Sequence, residues 1–361
     1  MLKTFYVSQA LKLEKAAALS GTAAWQSPSN IALVKYWGKH GHQLPNNPSV
    51  SLTLAEAYTR TRLSWRPAEG KTGRMFFRFH GKEEPAFAEK MKKYLEKQAE
   101  VFPFLAAFDL EVESSNSFPH SSGIASSASS MSAFVLCLLD MEARLSGQPP
   151  DEKAFFRKAS WLSRQASGSA ARSLFPYVSL WGECQEMEGS SQETAVALTD
   201  LHPVFRTYRD SILIVHSGVK TVSSRAGHAL MEGNPFASAR YAQARVNTAR
   251  LLGILRSGNL EDFVQLVESE ALQLHALMMA STPSFVLMKP ETLQIIEKLR
   301  QFRYESQLPL CFTLDAGPNV HLLYPDEVRT QVQEFIHTEL LPYCEGGRWI
   351  DDHVGDGPFR Y

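Results

Sequence analysis

SASSMSAFVLCLLDMEARLSG, residues 127–147, is apolar on nearly every helical face once past its serines. A helix with that pattern has to be enclosed by other elements, and Gly147 marks where it stops. Directly ahead of it the chain runs SFPHSSGIASSAS (117–129), so a glycine and many hydroxyls stand immediately before a buried helix. The chain has 361 residues, too many for one ordinary core, and two compact lobes are the expectation. With 44% hydrophobic and 21% charged residues it has apolar material enough for both.

Elsewhere the periodicities are mixed. TLAEAYTRTRLSWR (53–66) alternates as a strand does, and GRMFFRFHG (73–81) reads as its partner across a Pro/Gly/Lys turn. AFAEKMKKYLEKQAEVF (86–102) is an amphipathic helix, FDLEVESS (108–115) a strand, and DEKAFFRKASWLSRQ (151–165) a helix with an acidic first turn. A second lobe is placed near residue 200, ahead of DSILIVHSG (210–218), whose continuous apolar run suits a central strand. This divides the chain into 1–200 and 201–361. Helical patterns follow at 236–257, at 260–280, after Pro290 and over 325–340, with LCFTLDAG (310–317) and VHLLYP (320–325) paired around a Gly-Pro-Asn turn. The absence of a regular βαβ rhythm favours an α+β fold.

The formal net charge of −1 gives no overall field to attract nucleic acid or anionic lipid, so the expected partner is small. Cys137, Cys184, Cys311 and Cys344 lie far apart with no C-x-x-C pair, which fits reduced thiols and a cytoplasmic setting. No run approaches ~20 apolar residues, and the first residues lack the continuous apolar core of a signal peptide. The eleven histidines form no H-x-x-x-H or H-E-x-x-H, and no G-x-S-x-G gathers the serines. His120 and His228 therefore read as supporting or surface groups. A metal, if used, is expected as Mg²⁺ arriving with a nucleotide, which needs few protein ligands; no residue is assigned to it.

Five stretches carry residues suited to chemistry. The serine run offers small side chains and the free N–H groups of a helix start, the requirements of a phosphate cradle, but it equally suits a serine-capped core helix. SRQASGSAARSLF (163–175) joins hydroxyls and Gly168 to Arg172, whose guanidinium suits a carboxylate or phosphate. SPSNIALVKYWGKHG (27–41) reads as a strand delivering Lys35, Trp37 and Lys39 to one face and Tyr36 to the other, unless the chain bends at Gly38. Asp315 ends a buried strand at the Gly-Pro-Asn turn, where an Asp often serves only the turn. GVKTVSSRAGH (218–228) is a basic, hydroxyl-rich loop with Lys220, Ser224 and Arg225 that either closes over an anion or is simply solvated.

The order of these stretches carries more than any one. NIALVKYWGK, LPNNPSVSLTL, FPHSSGIASSAS, SGSAARSLF, VSSRAG, DAGPN and VGDGP, from about Ser27 to Pro358, resemble the mevalonate diphosphate decarboxylases of the GHMP kinase superfamily. The resemblance implies a two-lobed α+β GHMP kinase fold, with an N-terminal lobe like ribosomal protein S5 domain 2 and a ferredoxin-like C-terminal lobe. It implies ATP-dependent decarboxylation of mevalonate 5-diphosphate, with ATP and Mg²⁺, in a cytoplasmic enzyme whose relatives are commonly homodimers. Carried over by position, Asp315 matches the aspartate that contacts the C3 hydroxyl, Arg172 the arginine that holds the substrate carboxylate, and Lys35 a lysine beside them. Tyr36, Lys39, Ser167, Ser169, Ser224 and Arg225 match substrate and diphosphate contacts. Ser122, Gly123, Ile124, Ala125, Ser126 and Ser127 match the segment around the ATP phosphates, and Lys220 a mobile-loop lysine that approaches the γ-phosphate.

Departures accompany the match. The family's glycine before S-G-S is Ala166 here, and a glycine pair after S-L-F is replaced by Pro176 and Tyr177, so this chain is expected to turn differently there if those glycines supply positive φ. Ser121 and Ser122 stand where alanines are usual. Two rival readings remain: a kinase relative that phosphorylates mevalonate or its phosphates without decarboxylating, against which Asp315 speaks, and a non-catalytic nucleotide-binding paralogue.

Overall fold

The computed structural model describes Tyr6 and residues 19–70, 73–119, 124–218 and 224–361. The first lobe is a sheet with helices on one side. β1 (Gly21–Ala32) is followed by a small ribbon, β2 (Lys39–His40) with β3 (Leu44–Pro45), and then by the long β4 (Ser49–Pro67). β5 (Met75–Phe79), β6 (Lys82–Glu83), α1 (Pro85–Lys97), β7 (Phe108–Asn116), α2 (Ser126–Ser146) and α3 (Glu152–Ala166) come next, then β8 (Val178–Trp181) and β9 (Ala195–Ala197). The second lobe holds β10 (Arg209–Leu213), α4 (Ser224–Ala229), α5 (Ala237–Ser257), α6 (Leu260–Met279), α7 (Pro290–Ser306), β11 (Cys311–Leu314), β12 (Val320–Tyr324), α8 (Arg329–Phe335) and β13 (Trp349–His353), and the last strand, β14 (Phe359–Arg360), returns to the sheet of the first.

α2 is enclosed as its composition requires: Phe134 through Met141 are all buried, and Gly147 ends the helix in the left-handed region at φ 69°. The sheet beneath it runs β14-β1-β4-β7-β5-β6, with β8 attached to β4 and β9 to β8. One expectation fails here. β5 does not pair with β4; it lies parallel to β7, which sits between them. The connection after β4 bonds across the start of β7, Ala68 N to the Ala107 carbonyl at 2.9 Å and Gly73 N to Ala106 at 3.0 Å, so the chain emerges on the far side. A turn between two alternating segments fixes their direction but not whether a later strand inserts between them.

The second sheet, β11-β12-β10-β13, is antiparallel with β10 inside, as the continuous apolar run suggested. β11 and β12 pair around the Gly-Pro-Asn turn. The stretch 325–340 is helical but changes pitch, from a 3₁₀ turn through α8 to a π segment at Ile336–Leu340. One apolar core joins the lobes, combining Ile31, Val50 and Leu52 with Phe205, Ile212, Leu251 and Phe263.

β4 makes a detour where the lobes meet. Pro28 pairs with Tyr58 while Asn30 pairs with Thr53, so Leu54–Ala57 leave the ladder. Their orphaned amides are taken by a carboxylate from the other lobe: Ala55 and Glu56 donate to Asp352 Oδ1 at 2.9 and 2.8 Å, and Ala57 to Oδ2 at 2.7 Å. Asp352 is fully buried, and burial lifts its carboxyl from 3.8 to about 6 against the pull of those donors.

Candidate active site

The segment carrying Lys35 leaves β1 at Ala32 and proceeds by bends and open chain to Gly38, so the expected strand alternation does not hold. Gly38 has φ +87°, and a Cβ there would lie 2.0 Å from Tyr241 Oη; the turn needs a glycine. Freed from alternation, the side chains go separate ways. Lys35 turns inward, its Nζ donating to the Ala32 carbonyl at 2.6 Å and lying 3.6 Å from Asp315 Oδ1. Tyr36 packs against Trp181 and His228, ring centroids 4.7 and 4.3 Å away, while Trp37 enters an apolar cluster with α6. Lys39 is half-buried and donates to Gln43 Oε1 at 2.6 Å. His228 is a supporting group, accepting the Gly38 amide on Nδ1 at 3.0 Å; burial lowers its pKa to about 3. His120 lies outside the described residues.

Arg172 follows the 3₁₀ turn Gly168–Ala171, which begins where α3 ends at Ser167. Its guanidinium is buried, donates to Ser49 Oγ and lies 5.9 Å from the Trp181 ring. Gly168 lets Tyr36 approach: a Cβ there would be 2.7 Å from Tyr36 Oη. Asn30 Nδ2 ties this turn to β1, donating to the Ser169 carbonyl at 3.2 Å and to Ser173 Oγ at 2.7 Å.

Lys35, Arg172 and Asp315 therefore share one electrostatic environment. Burial lowers the Lys35 pKa, with Asp315 and then Glu270 opposing it, and lowers that of Arg172 to about 10, again with Asp315 opposing. Asp315 thus opposes the burial penalty on both cations. Burial also raises the Tyr36 phenol. Arg172 Nε, Tyr36 Oη and Asn30 Oδ1 are buried without a hydrogen-bond partner among the described residues. Three orphaned polar atoms around one spot fit a polar ligand that completes their bonding.

The serine run resolves against serine capping. Ala125 occupies the N-cap of α2 in the left-handed region at φ +43° with no side-chain cap bond, and the Ser129 and Ser130 hydroxyls fold back onto the Ser126 carbonyl at 3.3 and 2.7 Å. Among the described residues no side chain caps the first helical N–H groups, which fits an anion. Ile124 is buried, its carbonyl accepting from Ser29 Oγ at 2.6 Å, and Ser127 Oγ lies 3.1 Å from Ser167 Oγ, joining this helix start to the turn that leads to Arg172. Ser121, Ser122, Gly123 and Lys220 lie outside the described residues. Ser224 and Arg225 open α4, but their side chains are likewise outside them.

Both glycine replacements are accommodated. Ala166 is the last residue of a right-handed helix and needs no positive φ. Tyr177 does take φ +56°, as a glycine would, so the chain turns without one. Its amide donates to the Gly355 carbonyl and its carbonyl accepts from Thr53, both at 2.9 Å, and Arg206 lies 5.6 Å from its ring. These contacts offset the cost of the left-handed conformation. Glu270, Arg240 and His275, which also belong to the site's surroundings, gave no signal in the sequence beyond ordinary helix positions.

Such a site defines an enzyme that works on a small, multiply anionic substrate. The Diphosphomevalonate decarboxylase-like N-terminal domain matches residues 27–195, and the Mevalonate 5-diphosphate decarboxylase C-terminal domain matches residues 211–352. The diphosphomevalonate decarboxylases of Ganoderma lucidum and Eremothecium gossypii are 29% and 28% identical, over 90% and 87% of this chain and 83% and 80% of theirs. Among solved structures, mevalonate diphosphate decarboxylase from Staphylococcus aureus superposes with TM-score 0.81 at 26% identity, covering 95% of this chain and 98% of the other. MDDEF in complex with MVAPP, AMPPCP and magnesium gives TM-score 0.79 at 25% identity, covering 95% and 99%. The chain belongs to the mevalonate diphosphate decarboxylase family, and its fold is the two-lobed α+β fold of the GHMP kinases.

Proposed function

We propose that this protein catalyses the ATP-dependent decarboxylation of mevalonate 5-diphosphate, giving isopentenyl diphosphate, CO₂, ADP and phosphate. One observation carries the reading: buried Lys35 and Arg172, from separate segments of the first lobe, meet Asp315 of the second at a single, part-open place. A 3-hydroxy acid has no electron sink for the carbanion that direct loss of CO₂ would leave, so its tertiary hydroxyl must become a leaving group. Phosphorylation by ATP achieves this. Asp315 takes the hydroxyl proton as the oxygen attacks the γ-phosphorus, with Lys35 holding the carboxylate in place. Phosphate then departs with its C–O electron pair, and the bond to the carboxylate carbon supplies the pair that forms the alkene as CO₂ leaves. Arg172 orients that carboxylate throughout.

Tyr36, Lys39, Ser167, Ser169, Ser224 and Arg225 are assigned to the substrate and its diphosphate, and Ser122 through Ser127 to the ATP phosphates. The open start of α2 and the bond between Ser127 and Ser167 support placing the two anions side by side. Mg²⁺ would arrive with ATP and neutralise its phosphate charge; among the described residues no three His, Cys, Asp or Glu side chains form a metal cluster. Lys220 is assigned to the γ-phosphate on loop closure. The lobes are proposed as 1–200 and 201–361, in a cytoplasmic homodimer; among the described residues no helix is long and apolar enough to cross a membrane.

Parallel assay of CO₂, ADP and isopentenyl diphosphate tests the activity. Equal release of all three, dependent on both substrates, is expected; ADP without CO₂ would make the protein a kinase instead.

A further inference from the structure

α6 links the two halves of the catalytic pair. Lys35 comes from the first lobe and Asp315 from the second, so nothing local in the chain sets their separation. Glu270, fully buried in the middle of α6, accepts the Lys35 backbone amide on Oε2 at 2.9 Å. Five residues on, His275, also buried, lies with Nε2 3.1 Å from the Asp315 carbonyl oxygen. A carbonyl only accepts, so the Nε2 must carry the proton, and burial keeps the ring neutral by lowering its pKa to about 4. Five residues of helix span roughly 7.5 Å, a fixed length on a rigid element.

Glu270 is itself held firmly. Arg240 of α5 donates to Oε1 and Oε2 at 3.0 and 2.5 Å, and Asn247 donates to Oε1 at 2.5 Å. The neighbours of the catalytic pair are clamped by the same helix: Trp37 and Ala316 both pack in the apolar cluster formed with Leu274, Leu277 and Met278. Hydrogen bonds and packing thus fix each residue of the pair through its backbone and a nearby residue of the chain, independently of what the two side chains contact.

We infer that Glu270 and His275 are positioning residues, and that α6 is the common ruler that holds Lys35 and Asp315 at reacting distance across the two lobes. The inference rests on the catalytic reading of Lys35 and Asp315 given above. A positioning defect acts on the chemical step more than on substrate binding, because the groups that bind the diphosphate and ATP lie on other elements.

The test compares His275→Phe, which keeps an aromatic ring but removes the donor, with His275→Gln, whose amide N–H reaches a similar place, and with Asp315→Asn as reference. In the full-length enzyme His275→Phe is expected to lower kcat for CO₂ release by about 10- to 100-fold with KM values for both substrates nearly unchanged, and His275→Gln to recover most of it. Thermal unfolding of the three variants is followed alongside. If His275→Phe retains normal kcat while Asp315→Asn is inactive, or if His275→Phe and His275→Gln lose activity only in step with lost stability, the ruler is wrong and the catalytic reading survives. If Asp315→Asn turns over normally, the catalytic reading itself is wrong.

Discussion

At the scale of single residues the site depends on charges held where water cannot screen them. Asp315→Asn preserves shape but removes the proposed base, and a kcat reduced about 100- to 10,000-fold with mevalonate diphosphate binding retained is expected; titration calorimetry beside turnover measures both. Arg172→Lys keeps the charge but loses the planar fork that a carboxylate fits, and the pocket around Ser49 and Trp181 is shaped for a guanidinium. Turnover efficiency about 100-fold lower, with little change in unfolding temperature, is the expected outcome. The residue types of this site were legible in the sequence, since lysine, arginine, aspartate and glycine announce their chemistry. Where they point was not: Lys35, Trp37 and Lys39 do not share a face, because the chain leaves β1 at Ala32 and alternation ends with the strand.

Elements make up the next scale, and here the contact between β13 and the detour in β4 is the most testable. Asp352 supplies acceptors for three amides that the bulge orphans. Its folded pKa is raised from 3.8 to about 6, so the native state binds the proton more readily than the unfolded chain. The stability this adds is complete below the unfolded value and is lost as pH climbs through about 6. Urea midpoints of the wild type and Asp352→Asn, compared from about pH 4 to about pH 7, should show the wild type losing ground to the variant across that window. A constant gap would mean that the N–H donors, not burial, govern the carboxyl. No local pattern marks Asp352, because a strand residue that serves another lobe looks like any other polar position in its own.

For the whole molecule, lobes and folding units do not coincide. The shared core joins Ile31 and Val50 to Phe205, Ile212 and Phe263, and β14, the last strand, pairs with β1, the first long one. A chain built this way is expected to unfold in one transition. Expressed alone, residues 1–200 should lack cooperative unfolding and near-ultraviolet dichroism, having lost both the β14 edge and half of that core; a cooperative fragment would show that the first lobe is self-sufficient. In the proposed reaction the interlocking also serves the chemistry, since Lys35, Arg172 and Asp315, contributed by both lobes, need a frame that does not drift between them.

The amino-acid sequence alone determined the mixed α+β character and the enclosed helix 127–147, and it supplied the residue types proposed for an anionic substrate, because periodicity and side-chain chemistry are local properties. The tertiary structure decided that β7 enters between β4 and β5, that Tyr177 turns where a glycine was expected, and that α6 joins Lys35 to Asp315. An apolar face states that it must be covered but not by what, and partners distant along the chain are chosen only when all the faces are packed together.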